Sequence, residues 1–203
     1  ALIRKMLNLA VDWNLIDKNP LKGIQTFKEA PERAPTMNPE DEDRLLEACQ
    51  PWLKEVVQAA LLTGARQGEL LALQWTHVDF NQNLLTFEDS KSGNPRRIPL
   101  HPVLAAQLQP RRGLPRGHVF TLDDGTPIKR HTCSQAFRRI VRRLNLDLRF
   151  HDLRHIAATR MMSSGAGLLQ LSSILGHKTL AMTRRYSHVS MDDMRRAMEG
   201  LGE

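Results

Sequence analysis

A chain of 203 residues carries one tyrosine, Tyr186, against three tryptophans and six phenylalanines. It stands in SILGHKTLAMTRRYSHV, residues 173 to 189, nine positions after His177 and directly after Arg184 and Arg185. A continuous helix, at about 100° per residue, would put His177 and Tyr186 on opposite faces. For both to act at one point the chain must turn between them, and Thr179 is placed to cap a new helix over LAMTRRY. The alternative is that Tyr186 simply packs. A second stretch, RFHDLRHIAATRMM, spaces His151, Arg154 and His155 at i, i+3 and i+4, nearly one side of a helix. There His155 also fits a buried histidine bonded to backbone. A third, TGARQGELLAL, sets Arg66 and Glu69 three apart at a helix start. The carboxylate either braces the arginine or only balances it as a surface pair.

These residue types narrow the chemistry. Magnesium-dependent nucleases and polymerases gather Asp and Glu around the ion, whereas the acids near these stretches are single and scattered. His151 and His155 match a pairwise zinc spacing, but the third ligand and the glutamate of an H-E-x-x-H motif are missing. Arginines can instead neutralise the charge of a phosphoryl transition state, histidines can move protons, and a tyrosine can attack phosphorus. The combination points to metal-free phosphodiester transfer through a covalent protein–DNA ester, with no metal and no cofactor. Bond energy kept in that ester would permit rejoining without ATP.

The elements that must hold these groups can be read from patterning. Hydrophobic residues make up 41% and charged residues 25%, which fits a globular chain with a real core. The longest apolar runs, such as AALL at 59 to 62, are far too short for a membrane span. Cys49 and Cys133 stand far apart without metal spacing, which fits a reduced, cytoplasmic setting. Residues 1 to 19 read as one helix, with Leu2, Met6, Leu9 and Trp13 on a face that it cannot bury alone, ended by Asn19-Pro20. Residues 21 to 36, with Pro31 and Pro35, read as a linker. A second unit opens at Asn38-Pro39, a cap followed by proline at the first helical position. Helices are expected at 39 to 49, 51 to 63 and 66 to 73, with a break at Gly64. Between 77 and 100 the pattern becomes that of a small three-stranded antiparallel sheet. Helices return at 102 to 108, 131 to 145, 152 to 164, 168 to 175, 180 to 187 and 191 to 199. The expected fold is mainly α with one small antiparallel three-stranded β-sheet.

The net charge of +7 favours a polyanionic partner, and its distribution says more. Seven arginines but only two acids fall between Arg138 and Arg160. In residues 134 to 145, Phe137, Ile140, Val141 and Leu144 share one face, and Arg138, Arg139, Arg142 and Arg143 lie off it. A basic amphipathic helix of this kind suits a DNA groove, because the guanidinium fork matches phosphate and stays charged.

The motifs TGARQGELLALQW, DSKSGNPRRIPL, HDLRHIAATRMM and LGHKTLAMTRRYSHV occur in the order found in tyrosine recombinases. Over about residues 37 to 190 the chain resembles the catalytic domain of that family, the phage integrase and Xer-type group. The resemblance implies that Arg66 and Arg154 hold the scissile phosphate and that Lys91, in the hairpin turn, protonates the departing 5′ oxygen. His151 would shuttle protons, His177 would bond the phosphate, and Tyr186 would form a 3′-phosphotyrosine. Glu69 and His155 would support the site. Ile156-Ala157 departs from the Thr or Ser followed by Phe common after LRH, at positions expected to pack. Residues 1 to 20 resemble the last helix of the family's core-binding, SAM-like domain, 21 to 36 the linker, and 37 to 203 the catalytic domain with its tail. The implied partner is double-stranded DNA, bound as a homo-tetramer from subunits monomeric without DNA. The tail, with Met191, Met194, Met198 and Leu201 on an amphipathic helix, would dock on a neighbouring subunit, the alternatives being that it folds back on its own domain or is disordered. The implied setting is the cytoplasm of a bacterium, with the protein encoded by the bacterium or a phage. A type IB topoisomerase, a DNA-binding module with a retired active site and a zinc hydrolase are the competing readings.

Overall fold

The computed structural model describes residues 2–24, 35–88, 95–111, 117–177 and 179–186. Lys91 and the tail from residue 187 onward, on which two of the expectations above fall, lie outside the described residues. The chain divides into two compact units, Ala1–Ala34 and Pro35–Glu203.

The first unit is built on α1, Leu2–Asp12. This helix ends seven residues before the expected stop at Asn19. Asn14 adopts a left-handed conformation at φ 55°, its N–H bonds Val11 O, and Leu15 N bonds back to Ala10 O. That paired closure satisfies carbonyls of the last turn, and asparagine is one of the few residues to enter the left-handed region readily. Asn19 instead folds its buried side chain back onto Asn8 and the Arg4 carbonyl. Leu2, Met6, Leu9 and Trp13 are all exposed.

The second unit opens as expected. Asn38 Oδ1 accepts from Asp41 N at 2.7 Å and Pro39 takes the first position of α2, Pro39–Ala48. α3, Pro51–Thr63, buries Trp52, Leu53, Val56, Val57, Ala59, Ala60, Leu61 and Thr63, residues from all round its circumference. A helix apolar on every side belongs at the centre of a core. It ends at Gly64 (φ 63°), where a Cβ would stand 2.6 Å from Leu175 Cδ2. Glycine is required there both by the left-handed backbone and by the neighbour.

The short α4, Gln67–Leu71, leads to an antiparallel sheet in the order β1 (Val78–Asp79), β2 (Leu84–Phe87), β3 (Arg96–Pro99). Leu85 pairs with Ile98 and Phe87 with Arg96, so one face of β2 and β3 turns inward. After α5 (Pro102–Leu108) comes α6 (Arg130–Arg143), whose Cys133, Phe137, Ile140 and Val141 are buried while all four expected arginines are exposed. Phe137 meets Phe150 edge to face at 5.3 Å. α7 (Asp152–Ser163) packs against α3, with Ile156 and Ala157 buried between them and the rest of the core. α8 (Leu168–Leu175), α9 (Leu180–Thr183) and a 3-10 turn at Arg184–Tyr186 complete the described fold. The mainly α architecture with one three-stranded antiparallel sheet is as expected. Among the described residues no helix is long and apolar enough to cross a membrane.

Candidate active site

The site is organised by helix ends. The last four carbonyls of any helix lack intrahelical partners, and cations are favoured where the dipole ends negatively. In α8 all four can be followed. Ser172 O accepts from His177 N and Ser173 O from Gly176 N, with Gly176 left-handed at φ 67°. Ile174 O accepts from Arg96 Nε at 2.9 Å, and Leu175 O from Arg154 Nη2 at 2.8 Å. This closure redirects the chain at Gly176 and fixes where His177 begins.

Arg154 is 4% exposed, in the first turn of α7. Its Nη1 also donates to Gly64 O at 2.8 Å, so one guanidinium joins the ends of α3 and α8. Burial, reinforced by the nearby Arg66 cation, lowers its pKa to about 10. It therefore stays charged at neutral pH, held by carbonyl dipoles.

Arg66 precedes α4 as its capping residue. Glu69 Oε2 accepts from Arg66 N at 2.7 Å and Oε1 from Arg66 Nη1 at 2.8 Å, so the carboxylate reaches both the backbone and the side chain of Arg66. The expected helix over 66 to 73 is thus shorter, with Arg66 outside it in an extended conformation. The same carboxylate takes two bonds from Arg96, at 2.9 and 2.8 Å. Burial pushes the Glu69 carboxyl upward, but the Arg96 and Arg66 bonds overcome this and hold it below its ordinary value.

His151, Arg154, His155, His177 and Tyr186 come together. The rings of His151 and His155 meet edge to face at 5.2 Å, and those of His177 and Tyr186 stack at 6.4 Å, 9° from parallel. The chain does turn between His177 and Tyr186, as joint action requires. Thr179 takes the capping position of α9, but its side chain makes no capping bond. The hydroxyl that matters is that of buried Thr183, 2.8 Å from His177 Nδ1.

Tyr186 packs against the small cluster of Ala158, Leu171 and Leu175, so the packing reading holds for its ring. Its hydroxyl lies 2.7 Å from His155 Nδ1. At Nδ1 the partner of His155 is the phenol, because the turn after α9 carries Tyr186 back over α7. Burial and neighbouring positive charge lower both flanking histidines. His177 falls to about 4, by burial and then by Arg154 and Arg66; His151 falls by burial and then by His155 and Arg154.

Arg138, Arg139, Arg142 and Arg143 are not brought into this cluster. Near its other end α6 meets the site, where Ser134 bonds Gln67 beside Arg66. Arg143 reaches the Ala48 carbonyl at 3.2 Å. Among the described residues no three His, Cys, Asp or Glu side chains converge in a metal-holding group. Sequence reasoning missed Arg96. The signal was available: Arg96 lies two positions before inward-facing Ile98, on the same strand face.

The sequence model described as "Phage integrase family" matches residues 35–193. The integrase of Salmonella phage P22 is 30% identical over 205 residues, covering 94% of this chain and 52% of that protein. The shufflon-specific DNA recombinase of Escherichia coli is 31% identical over 198 residues, covering 93% and 49%. The chain thus spans about half the length of these curated relatives. Among solved structures, a lambda integrase dimer bound to a COC′ core site superposes with TM-score 0.75 at 21% identity, over 91% of this chain and 56% of that one. The Tn1549 transposon integrase in complex with circular intermediate DNA gives 0.76 at 22%, over 96% and 75%. At such identities the likeness to these structures is one of fold.

Proposed function

Because this chain belongs to the phage integrase family, we propose that it breaks and rejoins double-stranded DNA as a site-specific tyrosine recombinase of the phage or mobile-element integrase type. The observation that carries the reading is the placement of the lone phenol. Tyr186 arrives from 31 residues away to set its hydroxyl against His155, one residue from buried Arg154. Any packed tyrosine seeks a partner for its hydroxyl; what supports the reading is that the partner here is a histidine beside a buried arginine.

In the proposed reaction Arg66 and Arg154 bind the non-bridging oxygens of the scissile phosphate, and His177 adds a further bond. Tyr186 Oη attacks phosphorus and its proton passes to His155 Nδ1, with exposed His151 exchanging that proton with solvent. The bond from phosphorus to the 5′ oxygen breaks, and Lys91 supplies the proton that the 5′ oxygen needs. One P–O bond replaces another, so attack by a 5′ hydroxyl on the 3′-phosphotyrosine reverses the step without ATP. The guanidiniums of Arg66, Arg96 and Arg154 outweigh the Glu69 carboxylate and supply the positive charge that a metal would otherwise provide. Glu69 holds Arg66 in place.

The exposed arginines Arg138, Arg139, Arg142 and Arg143 are proposed to follow the DNA backbone along α6. The exposed apolar residues of α1, Leu2–Asp12, support residues 1 to 20 as the closing segment of a core-binding unit, joined by the 21–36 linker to the catalytic unit 37–203. Assembly as a homo-tetramer on DNA, with the tail docking in trans, completes the proposal. Lambda integrase, which shares the fold, has been solved as a tetramer bound to a Holliday junction.

The reading is tested by mixing the protein with a suicide duplex in chelator and denaturing the products. A magnesium-independent covalent adduct, abolished in Tyr186→Phe with binding retained, is expected. An adduct that persists in the variant removes the assignment. Supercoil relaxation without recombinant product would favour a type IB topoisomerase.

A further inference from the structure

Arg96 is a partner of Glu69 and of the end of α8, and all three of its guanidinium nitrogens are engaged. Two nitrogens hold the Glu69 carboxylate at 2.9 and 2.8 Å, and the third bonds Ile174 O at 2.9 Å. Its Cζ lies 4.6 Å from the centre of the Phe87 ring, and Gly176 leaves it room, since a Cβ there would stand 3.0 Å from Arg96 Cδ. Its side chain and that of Glu69 are each 13% exposed, while that of Arg66 is 43% exposed. Arg96 therefore faces inward and Arg66 outward, on opposite sides of one carboxylate.

That carboxylate has to be divided. A buried carboxylate needs compensation, and if Arg66 alone supplied it, charge and donors would be withdrawn from the phosphate. With Arg96 bonded to both oxygens, Glu69 needs from Arg66 only its backbone N–H and one side-chain nitrogen. We propose that Arg96 is a positioning residue that neutralises Glu69, so that Arg66 keeps its charge for the substrate phosphate. Through Ile174 O it also fixes the end of α8 from which His177 follows. A lysine would serve poorly, because only the planar fork can reach both carboxylate oxygens and a carbonyl together.

This inference rests on the strand-cleavage reading, so the test separates the two. Adduct formation is measured for wild type, Arg96→Met, Arg96→Lys and the double variant Glu69→Gln/Arg96→Met. Each is tested on a duplex with a normal scissile phosphate and on one with a neutral methylphosphonate there. Arg96→Met is expected to slow cleavage of the phosphate substrate about 100-fold, the scale of losing one oxyanion donor. On the neutral substrate, which asks for less positive charge, the loss should shrink to within about 5-fold, a remnant of misplacement alone. Arg96→Lys should fall between. Removing the negative charge in the double variant should recover part of the phosphate rate, a coupling that independent sites do not show. Equal losses on both substrates, or no recovery in the double variant, would overturn the charge-sparing role in favour of simple support. Should Arg96→Met fail to fold, Arg96→Lys and the double variant carry the same comparison. If wild type forms no adduct on either substrate, the cleavage reading falls. The role of Arg96 is then decided by titration with inorganic phosphate, where weaker binding in the single variant and recovery in the double support it and unchanged binding overturns it.

Discussion

At the scale of single residues, Arg154 shows how a buried charge is kept. It is nearly inaccessible, yet its two bonds run to the ends of α3 and α8, where carbonyls lack other partners. Arg154→Ala should therefore both unfold more easily and lose cleavage. Two stranded carbonyls are expected to cost about 2–5 kcal/mol, read from denaturant midpoints at unchanged m-value. Arg154→Lys, which has no fork, should recover little of either. His177 carries the pH signature. Its pKa lies near 4 in the folded chain against an ordinary 6.5, because of burial and the arginines around it. Between these values the unfolded state binds the proton and the folded state does not. The stabilisation from this group is thus whole above 6.5 and lost as pH falls towards 4. His177→Asn should lose less stability than wild type over that window, measured by thermal melting at successive pH values. A bound phosphate should raise the His177 pKa, seen as an upward shift of its NMR titration when DNA is added.

At the scale of elements, the site depends on how closely α8 can approach the end of α3. Gly64→Ala would place a methyl group 2.6 Å from Leu175 Cδ2 on a left-handed backbone. Overpacking of this kind costs about 1–3 kcal/mol, and the strained φ adds to it. Because Leu175 O receives Arg154 and Ile174 O receives Arg96, displacement of α8 should lower cleavage more than stability alone explains. That is checked by comparing adduct rates well below the melting point. The helices around these contacts were legible in the sequence, since Asn38-Pro39 and Gly64 are local signals. Where a helix end was misread, it was decided by a local turn or by partners distant in the chain. α1 stops before Asn14, whose left-handed conformation competes with continuing the apolar periodicity. α4 is short because Glu69 bonds back to Arg66 N. Thr179 holds the capping position without a capping bond, and the working hydroxyl is Thr183, whose partner His177 is visible only once the chain has turned.

At the scale of the whole molecule, types and spacing singled out the stretches that hold Arg66, Arg154, His151, His155, His177 and Tyr186, while packing and surface-pair readings stayed open. The resemblance to tyrosine recombinases gave these residues their roles. What neither revealed was the pairing among them. His155 faces Tyr186, and Arg96 shares Glu69 with Arg66, and neither follows from spacing because each bond joins separate elements. The same holds for the basic face of α6, which is exposed as patterned while its relation to substrate rests on the proposal. Binding that depends on those arginines should weaken steeply with salt. Replacing Arg138, Arg139 and Arg142 together by glutamine should flatten the slope of log K against log salt by about 0.9 for each phosphate no longer neutralised. Fluorescence anisotropy on a labelled duplex reads this directly. The central claim, that Tyr186 supplies the oxygen of a covalent DNA ester, is tested most directly by mapping the adduct. The trapped complex is digested with protease and nuclease, and the nucleotide-bearing peptide is sequenced by mass spectrometry. The account requires a nucleotide linked through its 3′ phosphate to Tyr186. Linkage to any other residue, or at a 5′ end, would contradict it.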